Sequence, residues 1–384
     1  MAEILPRLLS LPPAGSETFF LWGPRQTGKS TLLRSTYPNA FVLDLLLPEE
    51  YRRYLERPQL LVEQVRLHAH KFVVIDEIQK VPELLDTVHW LHEKQAVRFA
   101  LCGSSARKVR RGHANLLGGR GVTYQLFGLT AREIGAAFDL ERMLNHGYLP
   151  PHYLSRTPRR LLNTYVAQYL KEEIAAEGLV RRLPAFSGFL DAASFSDCET
   201  VNYTNIARET GVSGQTVRGY FDILVDTLLG RFLPSYRHRP KRRTVASPKF
   251  YFADVGIVNF LARRGGIAAG SELFGKAFEN WVFHELSAYN AYREVFARFA
   301  YWRLPSGIEV DFIVNHIDCA IEAKATPKVV DRHLKGLREL PVDHPETKRR
   351  VVVSLDEKDR ITSDGIEIYH YERFLDHLWK GELF

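Results

Sequence analysis

Cysteine is scarce in this 384-residue chain: Cys102, Cys198 and Cys319 lie far apart and form no CxxC pair. Neither a disulfide framework nor a zinc site can be built on that pattern, and a reducing compartment is expected. No stretch approaches the ~18 continuous apolar residues of a membrane span, so no membrane partner is expected. The opening MAEILPRLLSLPP is apolar only briefly, carries Glu3 and is broken by prolines. It makes a poor signal peptide, and a cytoplasmic location is expected. Internal repeats and low-complexity tails are also missing. What remains is the composition of a folded protein, with 45% hydrophobic and 25% charged residues. The length exceeds one ordinary core, which predicts two or three domains. Lys and Arg outnumber Asp and Glu by 52 to 45, giving a net charge of +7, a balance that favours polyanionic partners.

Short apolar strands alternate with helical stretches over residues 1–150, the rhythm of a parallel α/β sheet. The predicted strands are 18–22, 40–45, 71–75, 97–102 and 122–127. Beyond Pro150 the strand pattern stops, and RRLLNTYVAQYLKEEIAAE carries apolar residues at helical spacing. A boundary is therefore expected near Leu149, Pro150 and Pro151. The expected domains are a parallel α/β domain over 1–150, a helical connector over 151–200, a winged-helix-like unit over 201–245 and a second α/β domain over 246–384.

FFLWGPRQTGKSTLLRS places a strand, a loop and a helix in succession, with the loop Gly23, Pro24, Arg25, Gln26, Thr27, Gly28, Lys29, Ser30, Thr31 in Walker A order. Phosphate needs converging backbone N–H groups, which glycines permit by letting the chain turn and approach closely. Lys29 is suited to the β- and γ-phosphates and the Ser30 hydroxyl to Mg²⁺. KFVVIDEIQ supplies the acidic half of the site. Asp76 would hold Mg²⁺ through its water shell, and Glu77 would polarise an attacking water, a role that hydrolysis requires and transfer to an acceptor does not. ATP and Mg²⁺ are the expected ligands. The next strand ends in Gly103, Ser104 and Ser105, where Ser104, or else Ser105, is placed to sense the γ-phosphate. Arg120, on the glycine-flanked loop LLGGR, is suited to phosphoryl charge on its own or a neighbouring subunit's nucleotide. That second option would require a homo-oligomer.

GPRQTGKST, VVIDEIQ, LCGSSARK and LLGGR together resemble a family of prokaryotic AAA+ P-loop ATPases whose members carry a C-terminal domain of unknown function. The resemblance implies a 5-1-4-3-2 parallel sheet. No second-sensor arginine motif is evident.

YTNIARETGVSGQTVRGYFDILVDTLLG has the pattern of a helix-turn-helix with its turn at Gly211, Val212 and Ser213. Arg208, Gln215, Thr216 and Arg218 are expected to face outward, and residue types of this kind contact phosphates and base edges. The following RFLPSYRHRPKRR, with Arg237, Arg239, Lys241, Arg242 and Arg243, is either a wing that tracks a phosphate backbone or a solvated linker. DNA is the expected partner.

In the last third, GKAFENWVFHEL carries Glu279 on a helix, and GIEVDFIV and IDCAIEAKAT carry Asp311, Glu322 and Lys324 on strands. Residues 312–321 separate the two strand carboxylates, enough for a tight turn between paired strands. Strand alternation puts Glu322 and Lys324 on one face and Ile321 and Ala323 on the other. Carboxylates and an amine gathered there can bind Mg²⁺ at Glu279, Asp311 and Glu322 and position a water for phosphodiester attack. The D-x10-ExK arrangement resembles the PD-(D/E)xK nuclease superfamily and implies a restriction-endonuclease-like domain, although Val310 stands where the leading proline would be. His284 and Glu285 read as a solvated helix face, and Asp254 as a helix cap. Two functional classes stay open: an ATPase coupled to DNA cleavage, and an ATP-switched DNA- or protein-binding regulator that does not cut.

Overall fold

The computed structural model describes residues 5–105, 121–167, 182–237 and 242–384. It divides into two compact units, one comprising the chain through Leu129 with Asp226–Leu228, the other Thr130–Val225 with Leu229–Phe384. Among the described residues no helix is long and apolar enough to cross a membrane.

The first unit is built on β1 (Phe19–Trp22), β2 (Phe41–Asp44), β3 (Phe72–Asp76), β4 (Arg98–Gly103) and β5 (Val122–Gln125). All pairings are parallel, in the order β5-β1-β4-β3-β2. Every residue of β1 and β3 is buried, which is why these strands read as unbroken apolar runs rather than alternating ones. One face of the sheet packs Phe20, Val73, Ile75 and Phe99 against Leu61, Val65, Leu84 and Val88 from the Leu60–His68 and Leu84–Gln95 helices. The carboxyl ends of β1, β4 and β3 therefore lie side by side.

The second unit begins at Thr130, upstream of the boundary expected near Pro150. The cause is local. Thr130 and Glu133 close a capping box, and the Ala131 N–H donates to the buried Glu285 carboxylate at 2.7 Å, so this short helix is fastened to the C-terminal half of the chain. The connector and the helix-turn-helix then share a single core running from Leu149 and Leu162 through Phe186, Phe189, Val217, Phe221 and Leu224 to Phe252 and Leu261. Its elements are the Leu183–Phe195 helix, β6 (Glu199–Thr200), the Tyr203–Thr210 and Gly214–Asp226 helices, β7 (Gly230–Leu233) and β8 (Lys249–Phe252). β8 pairs antiparallel with both β6 and β7. The turn is dictated by its residues: Gly211 takes the left-handed conformation (φ 67°) that ends the first helix, and Ser213 Oγ accepts from the Thr216 N–H at 3.1 Å to start the second.

Asp254 is the expected cap, of the Val255–Leu261 helix, and its carboxylate also accepts from Tyr148 N at 2.6 Å and Leu149 N at 2.9 Å. Gly147, at φ 90°, makes that approach possible: a Cβ there would stand 2.0 Å from Asp254 Oδ1.

A six-stranded sheet of the second unit holds β9 (Phe299–Arg303), β10 (Glu309–Val314), β11 (Cys319–Lys324), β12 (Arg350–Ser354), β13 (Arg360–Ile361) and β14 (Glu367–His370), in the order β13-β14-β12-β11-β10-β9. β9, β10 and β11 are antiparallel, whereas β11, β12 and β14 are parallel. Residues leaving β7 run along β9: Tyr301 N donates to Pro234 O at 2.9 Å, Tyr236 N to Tyr301 O at 2.7 Å and Val245 N to Arg303 O at 2.9 Å.

The Glu272–Tyr292 helix lies within this unit, and it corrects one expectation. His284 and Glu285 are fully buried, His284 stacking on Tyr148 at 4.2 Å and Glu285 receiving the Ala131 N–H and the Trp379 indole N–H. Helical spacing alone does not reveal that this helix is enclosed on nearly every side. Burial pushes the Glu285 carboxyl up to about 8, so between about pH 4.5 and 8 the folded chain keeps a proton that the unfolded chain has lost. Stability from this group is thus present at low pH and is lost as pH rises through that window. Glu285→Gln is expected to flatten the fall; denaturant midpoints at about pH 5 and about pH 8, compared with the parent, check this.

Candidate functional site

At the carboxyl end of β1 the chain turns into the Lys29–Thr36 helix through Gly28, at φ 93°. Gln26 is also left-handed, at φ 65°. Gly23 is required by space, because a Cβ would come within 2.4 Å of Leu126 O beyond β5. Thr27 Oγ1 donates to Pro24 O at 2.9 Å, and Arg7 ties Thr27 O to Phe127 O, so the loop is braced from inside and outside. Lys29 is buried, and its ammonium donates to Gly23 O at 2.8 Å and Pro24 O at 2.9 Å. Ser30 is half-buried behind it and Thr31 is exposed; Pro24 is buried and Arg25 half-buried.

Asp76 closes β3, two strands from β1, and is 3% exposed. Its Oδ1 has no hydrogen-bond partner among the described residues. A buried carboxylate oxygen without a partner is costly, and such an atom beside a phosphate loop is suited to a cation's water shell. Cys102 marks the convergence: burial first, and then the neighbouring Asp76, push its thiol up, while Lys29 opposes them. Glu77 comes next in left-handed backbone (φ 58°), which swings it away from the strand. The Gln79 amide N–H₂ donates to Glu77 Oε2 and, at 3.1 Å, to Ser104 Oγ. Gln79 thus links the expected water-polarising carboxylate to the expected sensor hydroxyl. Sequence reasoning does not single it out; its signal is a polar amide two positions after Glu77 in an apolar segment. Arg120 lies outside the described residues.

In the second unit the structure brings Glu279, Asp311, Glu322 and Lys324 together, with an addition. Phe312 pairs with Ile321 across β10 and β11, which sets Asp311 beside Glu322. Asp311 Oδ2 accepts from the Ala323 N–H at 2.9 Å, and Lys324 Nζ lies 2.6 Å from Glu322 Oε1 and 3.6 Å from Asp311 Oδ2. Glu279 Oε1 accepts from Tyr251 Oη at 2.6 Å. The addition is Lys249, the first residue of β8, only 1% exposed. Its ammonium stands 2.9 Å from Glu279 Oε1, 3.7 Å from Asp311 Oδ1 and 3.9 Å from Glu309 Oε2. A lysine heading an otherwise apolar strand, KFYF, is the signal the sequence offers for it.

Burial and charge pairing compete over the protonation of the cluster. Burial pushes Glu322 up to about 8 and Glu279 up to about 7, with Asp311 adding to both and the lysines opposing. Burial would raise Asp311 too, but Lys324, Lys249 and the Ala323 N–H outweigh it and hold that carboxyl below its ordinary value. Both lysines are penalised by burial and raised on balance by the carboxylates around them.

On the helix-turn-helix surface Arg208, Gln215 and Arg218 are exposed and Thr216 is half-buried. Arg218 lies 4.8 Å over the Tyr203 ring. Arg237 and Arg243 are exposed and line one concavity with Thr244, Val245 and Pro305. Arg242 is committed elsewhere, 2.7 Å from Asp343 and 3.1 Å from Glu339, which removes it from the set of open cations. Arg239 and Lys241 lie outside the described residues.

Residues 16–135 match an AAA domain. The AAA match covers the five-stranded sheet, the Walker A loop, Asp76 and Glu77, and this stretch accordingly has the features of an ATPase-type P-loop domain. Two further models match the rest: a domain of unknown function (DUF8612) over residues 137–267, which encloses the core shared by connector and helix-turn-helix, and a domain of unknown function (DUF4143) over 274–374, which holds Glu279, Asp311, Glu322 and Lys324. Lys249 lies in the preceding match. The chain is also similar to the uncharacterized proteins Rv2008c of Mycobacterium tuberculosis and Mb2031c of Mycobacterium bovis, each 28% identical over 311 residues, spanning 77% of this chain and 67% of the relative.

Gly103, at the end of β4, is the tightest point beside the AAA-type site: a Cβ would meet Gln79 Oε1 at 2.3 Å and the Trp22 ring at 2.5 Å. Gly103→Ala is expected to cost about 1–3 kcal/mol through overpacking. Chemical denaturation measures it, and a midpoint equal to that of the parent would contradict the geometry.

Proposed function

We propose that this chain hydrolyses Mg-ATP in its AAA-type domain and uses the nucleotide state to control DNA contact by a winged-helix-like unit, with a C-terminal domain of nuclease-like fold that binds rather than cuts. The observation that carries the ATPase reading is the convergence of Lys29, Asp76 and Glu77 at the carboxyl ends of β1 and β3, the parallel strands that flank β4, with one Asp76 oxygen buried and unpartnered. Gly23 to Thr31 would cradle the phosphates, and Lys29 would exchange its carbonyl partners for phosphate oxygens. Ser30 and Asp76 fit a hard cation, whose chemistry is to draw charge from the phosphoryl group. Glu77 would take the proton of the attacking water after leaving the Gln79 amide. Ser104 would report the γ-phosphate through the same amide.

The order helix, short strand, two helices, hairpin over Leu183–Phe252 supports the winged-helix reading, with Arg208, Gln215, Thr216 and Arg218 on the open side and Arg237 and Arg243 on the hairpin's excursion. The pairing of Asp311 with Glu322 and Lys324 across β10 and β11 supports the nuclease-like fold. The regulator class is favoured over the cutting one because the carboxylates expected to hold a metal are already occupied by lysine.

Lys29→Ala and Glu77→Gln are each expected to lower Mg-dependent ATP hydrolysis at least about 100-fold, Glu77→Gln with nucleotide affinity retained. Phosphate release and nucleotide titration measure the two effects, and full turnover in Glu77→Gln would overturn the role of that carboxylate. Arg208→Ala with Arg218→Ala should weaken DNA binding across unrelated sequences and reduce the log–log salt slope by about 2, read by fluorescence anisotropy. An unchanged slope would remove this face from the DNA contact.

A further inference from the structure

We propose that Lys249 is a resident counter-ion standing where the C-terminal centre would otherwise hold a divalent metal, so that the centre excludes Mg²⁺ and Mn²⁺. The inference deepens the reading of that domain as a nuclease-like fold that does not cut, and it rests on that reading for its functional meaning, but its geometry stands alone. A hard divalent cation needs about six oxygen ligands at about 2.1 Å around one point. Here the oxygens that would face that point are spoken for. Glu279 Oε1 serves Lys249 and the Tyr251 hydroxyl, and Asp311 Oδ1 faces Lys249. Asp311 Oδ2 is held by the Ala323 N–H and Lys324. Glu322 Oε1 is held by Lys324 and Oε2 by the Asp311 N–H at 3.3 Å. Among the described residues no group of three or more potential ligands is arranged to hold a metal.

The one ammonium donates a hydrogen bond to Glu279 and forms ion pairs with Asp311 and Glu309 at 3.7 and 3.9 Å, and the Tyr301 ring lies 5.6 Å from Nζ. At 1% exposure Lys249 has no route to water along which its head could withdraw. Metal and ammonium would therefore compete for the same carboxylates at contact distance, and the tethered cation holds the site. Lys324, 30% exposed at the rim, neutralises Glu322 and is not equivalent to Lys249. Lys249 belongs to β8 of the helix-turn-helix layer, so the plug is delivered by one element into the sheet of another.

The test is Mn²⁺ binding to the full-length, nucleotide-free protein, followed by the paramagnetic signal of free Mn²⁺. Parent and Asp311→Asn should bind Mn²⁺ equally, whereas Lys249→Ala and the stem-preserving Lys249→Met should each gain one ion per chain, lost again when combined with Asp311→Asn. Loss of an ion from the parent on Asp311→Asn would overturn the proposal, as would a folded Lys249 variant that gains none. Should both lysine variants fail to fold, the comparison of parent with Asp311→Asn decides alone. Metal-dependent DNA cleavage by the Mn²⁺-loaded lysine variants reports separately on the nuclease-like reading, so a failure of that reading is distinguishable from a failure of the exchange.

Discussion

A lysine at 1% exposure survives as a cation only where carboxylates surround it, and the lysine in turn opposes the burial that would otherwise keep those carboxylates protonated. In the second unit this mutual dependence joins elements distant in sequence: Lys249 opens β8, Glu279 rides the long helix, and Glu309 and Asp311 sit on β10. Removing either sign leaves the other uncompensated inside the protein, which is more damaging than never having built the pair. The positions of β8, the helix and the sheet are thus coupled by charge balance as well as by apolar contact. Asp254 applies the same logic with backbone donors, three N–H groups sharing one carboxylate between residues 148–149 and the start of the following helix.

The AAA-type domain solves a different problem. Its loop must bring main chain close to phosphate, and so it is organised by what is absent: no side chain at Gly23, where Leu126 O presses in, and none at Gly103, where Gln79 and Trp22 do. Gln79 fills the space Gly103 leaves and holds both Glu77 and Ser104. Polar groups that would act at different moments of hydrolysis are therefore mechanically connected through one amide.

The sequence is most readable where a single element carries its own signal. The first four strands of the first sheet in chain order fall within one residue of their expected limits, because a largely buried parallel strand is a nearly continuous apolar run, whereas the exposed β5 ends two residues early. The helix-turn-helix is equally plain from Gly211, Ser213 and the apolar spacing around them. Signals that depend on partners from elsewhere are lost. Glu285 looks like a surface residue until the Ala131 N–H and Trp379 are brought to it, and Arg242 looks like a phosphate contact until Asp343 and Glu339 arrive. Lys249 belongs to no motif, because its chemistry is defined by carboxylates that lie 30 residues or more downstream. The start of the second unit at Thr130 is likewise set by a long-range hydrogen bond rather than by composition.

β9 is the last strand of its sheet, and a terminal strand presents a row of unpaired N–H and C=O groups. Pro234, Tyr236 and Val245 meet that row with their own main chain. The residues that flank the basic stretch are therefore also a hem on the sheet, protecting it from joining the edges of other molecules. A fragment beginning after the hairpin would carry a frayed border and a set of carboxylates without their cation, and self-association of such a piece would reflect the missing hem rather than an assembly state of the whole chain.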